Sequence, residues 1–183
     1  MKIIMISGKS GSGKNALAAA FANALKDNRV LTIAFGDLVK TFLKQYYGWN
    51  GEKDEAGRKM LQELGTNKVR KMFPTYWAEV VAEFVMATAA DWDYVIIPDW
   101  RFVNEYYTIA DYTNNTILIR VERYNEDGSK WVNPNMTPEQ LNHISENELE
   151  KFSFDYIVEN RGDISNLDGA AATIIEDQHL TDK

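Results

Sequence analysis

The chain has 183 residues, of which 45% are hydrophobic, so it is long enough to bury a core and too apolar for extensive disorder. It contains no cysteine, which excludes a disulfide framework or a thiolate metal site. Its formal net charge of −7 argues against binding a nucleic-acid backbone, and no segment approaches the ~20 apolar residues of a membrane span.

Short apolar runs alternate with helical patterns along the chain. In chain order we predict strand Lys2–Ser7, helix Asn15–Lys26, strand Val30–Phe35, a helix from about Leu38, a helix around Glu55–Leu64, helix Trp77–Ala90, strand Tyr94–Pro98, helix Asn104–Tyr112, strand Thr116–Val121, strand Tyr156–Val158 and helix Leu167–Asp177. This alternation predicts an α/β fold, with a mostly parallel five-stranded sheet and helices on both faces. Ligands of such sheets bind at the carboxyl ends of the strands.

A glycine-rich sequence, GKSGSGK, lies between the first predicted strand and the first predicted helix. Its G-x-x-x-x-G-K spacing is the Walker A pattern, or P-loop, in the strand–loop–helix context that it requires. Glycines let backbone N–H groups approach an anion, and the following helix adds a partial positive charge. The alternative is a glycine-rich turn with a surface lysine. We expect a nucleoside triphosphate to bind the P-loop residues Gly8, Lys9, Ser10, Gly11, Ser12, Gly13 and Lys14.

The residue after Lys14 departs from the Walker A pattern. That position is usually Ser or Thr, whose hydroxyl binds Mg²⁺, and here it is Asn15 followed by Ala16. A carboxamide oxygen is able to approach a metal ion, and water with a carboxylate elsewhere offers another arrangement. Asp99, directly after the third predicted strand, stands at the Walker B position that reaches Mg²⁺. Asn15 and Asp99 are therefore the candidate metal ligands.

Further motifs are spread along most of the chain. They are FGDLVK at Phe35–Lys40, GRKMLQELGTNKVR at Gly57–Arg70, PDWRFVNE at Pro98–Glu105, and an H-x-S-E element and a strand ended by an Asn-x-Gly turn within His143–Leu167. Together with the P-loop, they resemble the deoxynucleoside monophosphate kinases of bacteriophages, a branch of the P-loop nucleoside monophosphate kinases. In that family the P-loop lysine is usually followed by Asp-Thr, so the chain departs from the family at this point too.

The resemblance implies a three-layer P-loop fold and an activity. It implies transfer of the γ-phosphoryl group of ATP to a deoxynucleoside 5′-monophosphate, with Mg²⁺ as cofactor. From the net charge and the lack of a long apolar segment, we expect no nucleic acid or membrane as partner. The resemblance also implies a homodimer, a phage origin and hence the host cytoplasm. We predict one P-loop kinase domain over residues 1–183, with an acceptor-binding helical region at about 37–90 and a lid at about 122–142.

The resemblance implies that arginines bind the acceptor monophosphate. Arg58 and Arg70 would bind its phosphate, Gln62 would lie near its base, and Arg101 would also contact the acceptor. A planar guanidinium suits this task because it matches two phosphate oxygens at once. The alternative for Arg58 and Arg70 is a solvated helix face, and Gly65-Thr66 is predicted to break the helix between them.

One carboxylate, one lysine and two tryptophans complete the expected acceptor site. Asp37 follows the second predicted strand, where it would either lie near the acceptor phosphate, as the resemblance implies, or cap the next helix. Lys40 belongs to the same motif. Trp77 and Trp100 lie close enough to the motifs to stack on a nucleobase, or they pack in the core.

The polar stretch Tyr124–Gln140 interrupts the alternation of strands and helices. We interpret it as part of a lid, because phosphoryl transfer requires the exclusion of water. Lids of related kinases deliver arginines to the transferring group, so Arg123 joins Lys14, Asp37 and Asp99 as a predicted catalytic residue. Arg120 lies within a strand and suits a structural ion pair.

Two short motifs lie near the end of the chain. Asn160 and Gly162 follow the last predicted strand, where related kinases contact the donor base. Ser145-x-x-Glu148 has the spacing of a capping box that opens a short helix.

Two other functions remain consistent with these motifs. One is a P-loop kinase for a different small acceptor, such as dephospho-coenzyme A. The other is a nucleotide-binding protein with weak catalysis, a reading that Asn15-Ala16 keeps open.

Overall fold

A parallel five-stranded sheet forms the centre of the structure, a computed structural model that describes residues 1–162 and 164–181. The strand order is β2-β3-β1-β4-β5, and every neighbouring pair is parallel. The strands are β1 (Lys2–Ser7), β2 (Val30–Thr32), β3 (Tyr94–Trp100), β4 (Thr116–Arg123) and β5 (Tyr156–Asn160). The fold is therefore α/β, as the sequence predicts.

Helices connect the strands and cover the sheet. They are α1 (Lys14–Ala24), α2 (Asp37–Tyr46), α3 (Glu55–Gln62), α4 (Tyr76–Ala87), α5 (Val103–Ala110), α6 (Pro138–Leu141), α7 (Ile144–Asn147) and α8 (Ile164–Asp177). A π-helical segment, Glu63–Arg70, continues α3. Within the described part of the chain, no helix combines the length and apolarity needed to cross a membrane.

Two apolar layers flank the sheet. On one face α1 and α8 pack against the strands, with Phe21 and Ile174 buried between them. On the other face α4 and α5 pack together, with Val85 and Ile109 fully buried. The central strands are apolar on both sides because both faces are covered.

The structure corrects four local predictions. Strand β2 ends at Thr32 and not at Phe35, since the backbone N–H groups of Phe35 and Gly36 donate to the Asp99 carboxylate. Gly65-Thr66 does not break the helix, because the chain passes from α3 into the π-helical segment without interruption. Strand β3 runs on through Trp100 and so includes Asp99. Ser145 does not cap α7: the His143 side chain occupies the N-cap and accepts from the backbone N–H of Ser145.

Candidate active site

A cavity of about 850 Å³ opens at the carboxyl ends of β1, β2 and β3. Its walls come from the P-loop, the start of α2, the α3–π helix and the end of β3, with α7 at one side. Most of the predicted site residues line it: Ser10, Gly11, Gly13, Lys14, Asn15, Asp37, Lys40, Arg58, Gln62, Arg70, Trp77, Asp99 and Arg101. The sheet geometry thus brings together motifs that are far apart in the sequence.

The P-loop is a tight turn whose shape depends on glycine. Gly11 and Gly13 have φ angles of 81° and 112°, in the left-handed region that other residues rarely adopt. A Cβ atom on Gly13 would lie 2.5 Å from the Asn160 Nδ2 atom. The hydroxyl of Ser12 is buried without a hydrogen-bond partner among the described residues. This turn, with a buried unpartnered hydroxyl, fits an anionic ligand such as a polyphosphate.

Lys14 is buried at the base of this turn. Its Nζ donates to the carbonyl oxygens of Gly8 at 2.6 Å and Lys9 at 2.7 Å. Burial, with a smaller contribution from Arg101, lowers the pKa of Lys14 from 10.5 to about 7.

Ser10 joins the P-loop to three other parts of the chain. Its backbone N–H donates to Glu146 Oε2 of α7 at 2.7 Å. Its hydroxyl accepts from Arg58 Nη1 at 2.8 Å and from Asn133 Nδ2 at 3.4 Å. The Arg58 Nε atom is buried and has no hydrogen-bond partner among the described residues. A guanidinium beside the P-loop with an unused donor suits a phosphate oxygen.

Two carboxylates shape the turn between β2 and α2. Asp99 accepts from the backbone N–H groups of Phe35 and Gly36, each at 2.9 Å. Asp37 accepts from the Ala34 N–H at 2.9 Å. Asp37 is the first residue of α2 and Gly36 is the N-cap, so the helix-cap alternative for Asp37 is wrong.

The residues that line the cavity fit the binding of a Mg²⁺ ion together with a substrate. No group of three or more His, Asp or Glu residues that could hold a metal occurs in residues 1–162 and 164–181. Mg²⁺ is usually bound by one or two carboxylates together with substrate phosphates and water, so such a group is not required. Asp99 keeps a free lone pair on each carboxylate oxygen, and the exposed Asn15 also lines the cavity, which fits this kind of site.

Arg70 and Arg101 are each held by a buried glutamate. Arg70 pairs with Glu105, and its guanidinium stacks on the Phe102 ring, 4.1 Å from the centroid. Burial raises the pKa of Glu105 to about 7, although Arg70 opposes that shift. Arg101 pairs with Glu146 and also donates to the Ser145 carbonyl at 3.0 Å. These pairs orient both guanidinium groups where they line the cavity.

The two tryptophans differ in position. Trp77 is 2% exposed, is one of the residues that line the cavity, and donates from Nε1 to the Gly65 carbonyl at 3.0 Å. Trp100 is fully buried in an aromatic cluster with Phe152 and Phe154. Stacking of Trp100 on a nucleobase is therefore ruled out, because its ring faces only the core.

Some predicted residues lie outside the cavity wall. Asn160 donates to the Ser12 carbonyl at 2.8 Å and so lies behind the P-loop, and it accepts from the Gly162 N–H at 2.9 Å. Lys9 forms an ion pair with Glu150 at 2.6 Å on the outer side. Gly8 and Ser12 belong to the turn but do not line the cavity.

The predicted lid segment (122–142) folds against the P-loop. Its start belongs to β4, and Tyr124 and Lys130 then form an antiparallel bridge. Arg123 donates to the Gly11 carbonyl at 3.1 Å and stacks on Trp131, whose ring lies 4.3 Å away. Arg123 thus contacts the P-loop from outside the cavity wall.

Several cavity residues were not expected from the sequence. Lys53 reaches the cavity from the loop before α3, and burial together with Lys40 and Arg101 lowers its pKa. Glu146 belongs to the H-x-S-E motif, but the motif does not predict that its carboxylate binds the Ser10 N–H and Arg101. Asn133 and Met136 come from the lid segment, where no periodic pattern indicates which residues face inward.

The chain is similar to known proteins in sequence and in fold. Residues 47–170 match the family model of deoxynucleotide monophosphate kinases. An unliganded sugar kinase from Janibacter sp. HTCC2649 has a TM-score of 0.56 at 16% identity, covering 96% of this chain and 95% of that one. The APS kinase of Mycobacterium tuberculosis has a TM-score of 0.47 at 14% identity, covering 100% and 97%. No curated protein sequence matches the chain. The sugar kinase supports the fold, and the family match covers about two thirds of the chain, beginning after the P-loop.

Proposed function

The chain belongs to the deoxynucleotide monophosphate kinase family, and from that premise we propose that it transfers the γ-phosphoryl group of ATP to a deoxynucleoside 5′-monophosphate. The products are ADP and the deoxynucleoside diphosphate. The observation that carries the proposal is one cavity lined by a P-loop and by three arginines, Arg58, Arg70 and Arg101. A polyphosphate donor and a phosphorylated acceptor both need such cationic groups, and in-line transfer needs them close together.

The P-loop is the proposed donor site. Backbone N–H groups from Ser10 to Lys14 bind the β- and γ-phosphates, and the Lys14 ammonium adds a positive charge beside them. Asn160 supports this turn from behind, and together with the exposed Gly162 it contacts the donor base.

Asp99 and Asn15 are the residues that would hold Mg²⁺. When bound, the ion neutralises charge on the transferring phosphoryl group. Asp99 also fixes the turn that begins α2, so its carboxylate is positioned by two backbone N–H groups before any ligand binds.

The acceptor site is proposed to lie between α2, the α3–π helix and the end of β3. Arg58, Arg70 and Arg101 bind the acceptor phosphate, and Lys40 and Lys53 add positive charge. Gln62, on the same helix as Arg58, and Trp77 contact the base. Asp37 accepts from Lys40 Nζ at 2.8 Å and so orients that ammonium. No strong general base is needed, because the acceptor phosphate is already ionised near neutral pH.

The lid segment and domain organisation complete the proposal. Residues 122–142 exclude water from the P-loop, and Arg123 reaches the transferring group by leaving the Gly11 carbonyl.

Residues 1–183 form one kinase domain in this proposal, with its acceptor-binding region at about 37–90. Asp163, Asp182 and Lys183 of that range lie outside the described residues.

A coupled ADP-release assay over all natural deoxynucleoside and nucleoside monophosphates tests the function. With Mg²⁺ and ATP present, ADP release should depend on added deoxynucleoside monophosphate. Lys14→Met should reduce it by at least about 100-fold, since it removes charge stabilisation at the transferring group. Lys26→Met, which changes an exposed lysine just after α1, should leave it unchanged. Absence of ADP release with every acceptor would contradict the proposal.

A further inference from the structure

The Glu146 carboxylate is bound by two donors of the kind that bind phosphoryl oxygens. One is the backbone N–H of Ser10 in the P-loop, at 2.7 Å, and the other is the Arg101 guanidinium. The Glu146 side chain is only 5% exposed, so water does not compete for these contacts to any great extent. Burial acts to raise the pKa of Glu146, but Arg101 and the Ser10 N–H outweigh it and keep the carboxylate ionised.

A carboxylate and a phosphoryl group are chemically similar ligands for these donors. Each presents anionic oxygens to backbone N–H groups and to the fork of a guanidinium. The Ser10 N–H is a single donor, so it serves either the Glu146 carboxylate or a phosphoryl oxygen well, but not both. Likewise, the Arg101 Nη1 group that donates to Glu146 is not available to a phosphoryl oxygen at the same time.

We propose that Glu146 is a positioning residue that competes with a substrate phosphoryl group for the Ser10 amide and the Arg101 guanidinium. It keeps both donors aimed into the cavity and gives them up when the phosphoryl group binds. This inference rests on the proposed function, since it assumes that the P-loop binds a polyphosphate.

The surrounding contacts allow Glu146 to move alone. Asn147 accepts from Lys9 Nζ at 3.2 Å, and Glu150 forms an ion pair with the same ammonium. Glu148 accepts from the Val103 N–H at 2.8 Å. These contacts hold the segment to the P-loop and to α5, so a side-chain rotation at Glu146 releases both donors without displacing α7.

The charge balance of the cavity gives the sign of the effect. Of the residues that the structure describes, six cationic ones line the cavity and four acidic ones, Glu146 among them, offset part of their charge: Lys14, Lys40, Lys53, Arg58, Arg70 and Arg101 against Asp37, Asp99, Glu105 and Glu146. Replacing Glu146 by Gln removes one negative charge and weakens the hydrogen bonds that an incoming anion must break. An anion should therefore bind the variant more tightly, which is the opposite of what the loss of a purely structural contact would cause.

Equilibrium binding tests the inference without turnover. Isothermal titration calorimetry would measure the Kd of ATP and of inorganic pyrophosphate, without Mg²⁺, for the wild type, Glu146→Gln and Glu150→Gln. We expect Glu146→Gln to bind both anions about tenfold more tightly. Glu150→Gln makes the same charge change on the same segment, at a half-exposed residue. It should shift the Kd by less than about twofold.

The outcomes separate this inference from the proposed function. A wild type that binds neither ATP nor pyrophosphate would overturn both. A wild type that binds ATP, with a Kd in Glu146→Gln that is unchanged or higher, would overturn the inference alone, as would equal tightening in Glu150→Gln. If thermal unfolding shows that Glu146→Gln does not fold, Glu146→Asp takes its place. It keeps the charge but is one methylene too short to hold both donors, so its Kd should fall about threefold, and a higher Kd would overturn the inference.

Discussion

Lys14 lies where its charge depends on what is bound beside it. Among the described residues, its ammonium has only the carbonyl oxygens of Gly8 and Lys9 as hydrogen-bond partners, and burial lowers its pKa from 10.5 to about 7. Above that pH the unliganded side chain is mostly neutral. A polyphosphate next to the ammonium favours the charged form and so raises the pKa again.

We therefore expect ATP binding to take up a proton at pH 8. The pKa of Lys14 is below 8 before binding and rises above it afterwards, so affinity should fall as the pH increases above about 7. Calorimetry in buffers with different ionisation enthalpies measures the uptake, which should approach about one proton per ATP.

Lys14→Arg is the control for this prediction. A guanidinium remains charged throughout this pH range, so the uptake should disappear while a cation is retained. The same uptake in Lys14→Arg would assign the proton to another group.

Individual residues show where the sequence was informative. The motifs predicted that Arg70 and Arg101 would reach the site, because they follow family spacing. Their partners Glu105 and Glu146 could not be predicted, since they lie 35 and 45 residues away and only the folded chain brings them together. The prediction that Trp100 could stack on a nucleobase was wrong for a related reason. Closeness to a motif along the chain does not determine which way the ring points.

The π-helical segment is the element that departs most from its sequence pattern. Gly65 and Thr66 are poor helix formers, which is why the sequence predicts a break there. The Gly65 carbonyl instead accepts from Trp77 Nε1 at 3.0 Å, a tertiary bond that holds the widened helix. Such segments are rare and often occur at functional sites. Here it places Gln62 and Arg70 along the same cavity.

Deleting the exposed residue Asn67 tests this role. The deletion shifts all later residues of the π-helical segment by one position along the chain, which separates Arg70 from Glu105. We expect KM for the deoxynucleoside monophosphate to rise by at least about tenfold and the free energy of unfolding to fall by about 3 kcal/mol. Steady-state kinetics and urea denaturation measure the two effects.

Asn67→Ala is the matched control, because it removes the same side chain without changing the register. It should change the free energy of unfolding by less than about 0.5 kcal/mol. If the deletion is as mild as this substitution, the π-helical register has no part in the site.

For the whole molecule, the α/β class and the first residue of every strand could be predicted, because strands of such sheets are apolar runs, although β2 ends at Thr32 and not at the predicted Phe35. The order β2-β3-β1-β4-β5 could not be predicted from those runs, since an apolar pattern does not specify which strands are neighbours. The path of the lid segment along the P-loop could not be predicted from the sequence either. Its contacts with the P-loop depend on single side chains such as Trp131 and Asn133 rather than on a repeated pattern.

The layer formed by α1 and α8 should govern global stability. Ile174 of α8 is 3% exposed within it, so Ile174→Ala should lower the free energy of unfolding by about 2–5 kcal/mol. Ile157→Ala is the comparison, because that side chain is 62% exposed, and it should cost less than about 1 kcal/mol. Urea denaturation measures both values, and equal losses would contradict the assignment of the core.

The position of the Trp131 indole has a consequence for the intrinsic fluorescence of the protein. A Cβ atom on Gly11 would lie 2.6 Å from that ring, and Arg123 covers its face. Trp49, Trp77 and Trp100 are at most 6% exposed, so their surroundings are shielded from solvent. Light emission from Trp131 should therefore respond to changes in the P-loop more than emission from those three, because its ring lies against Gly11.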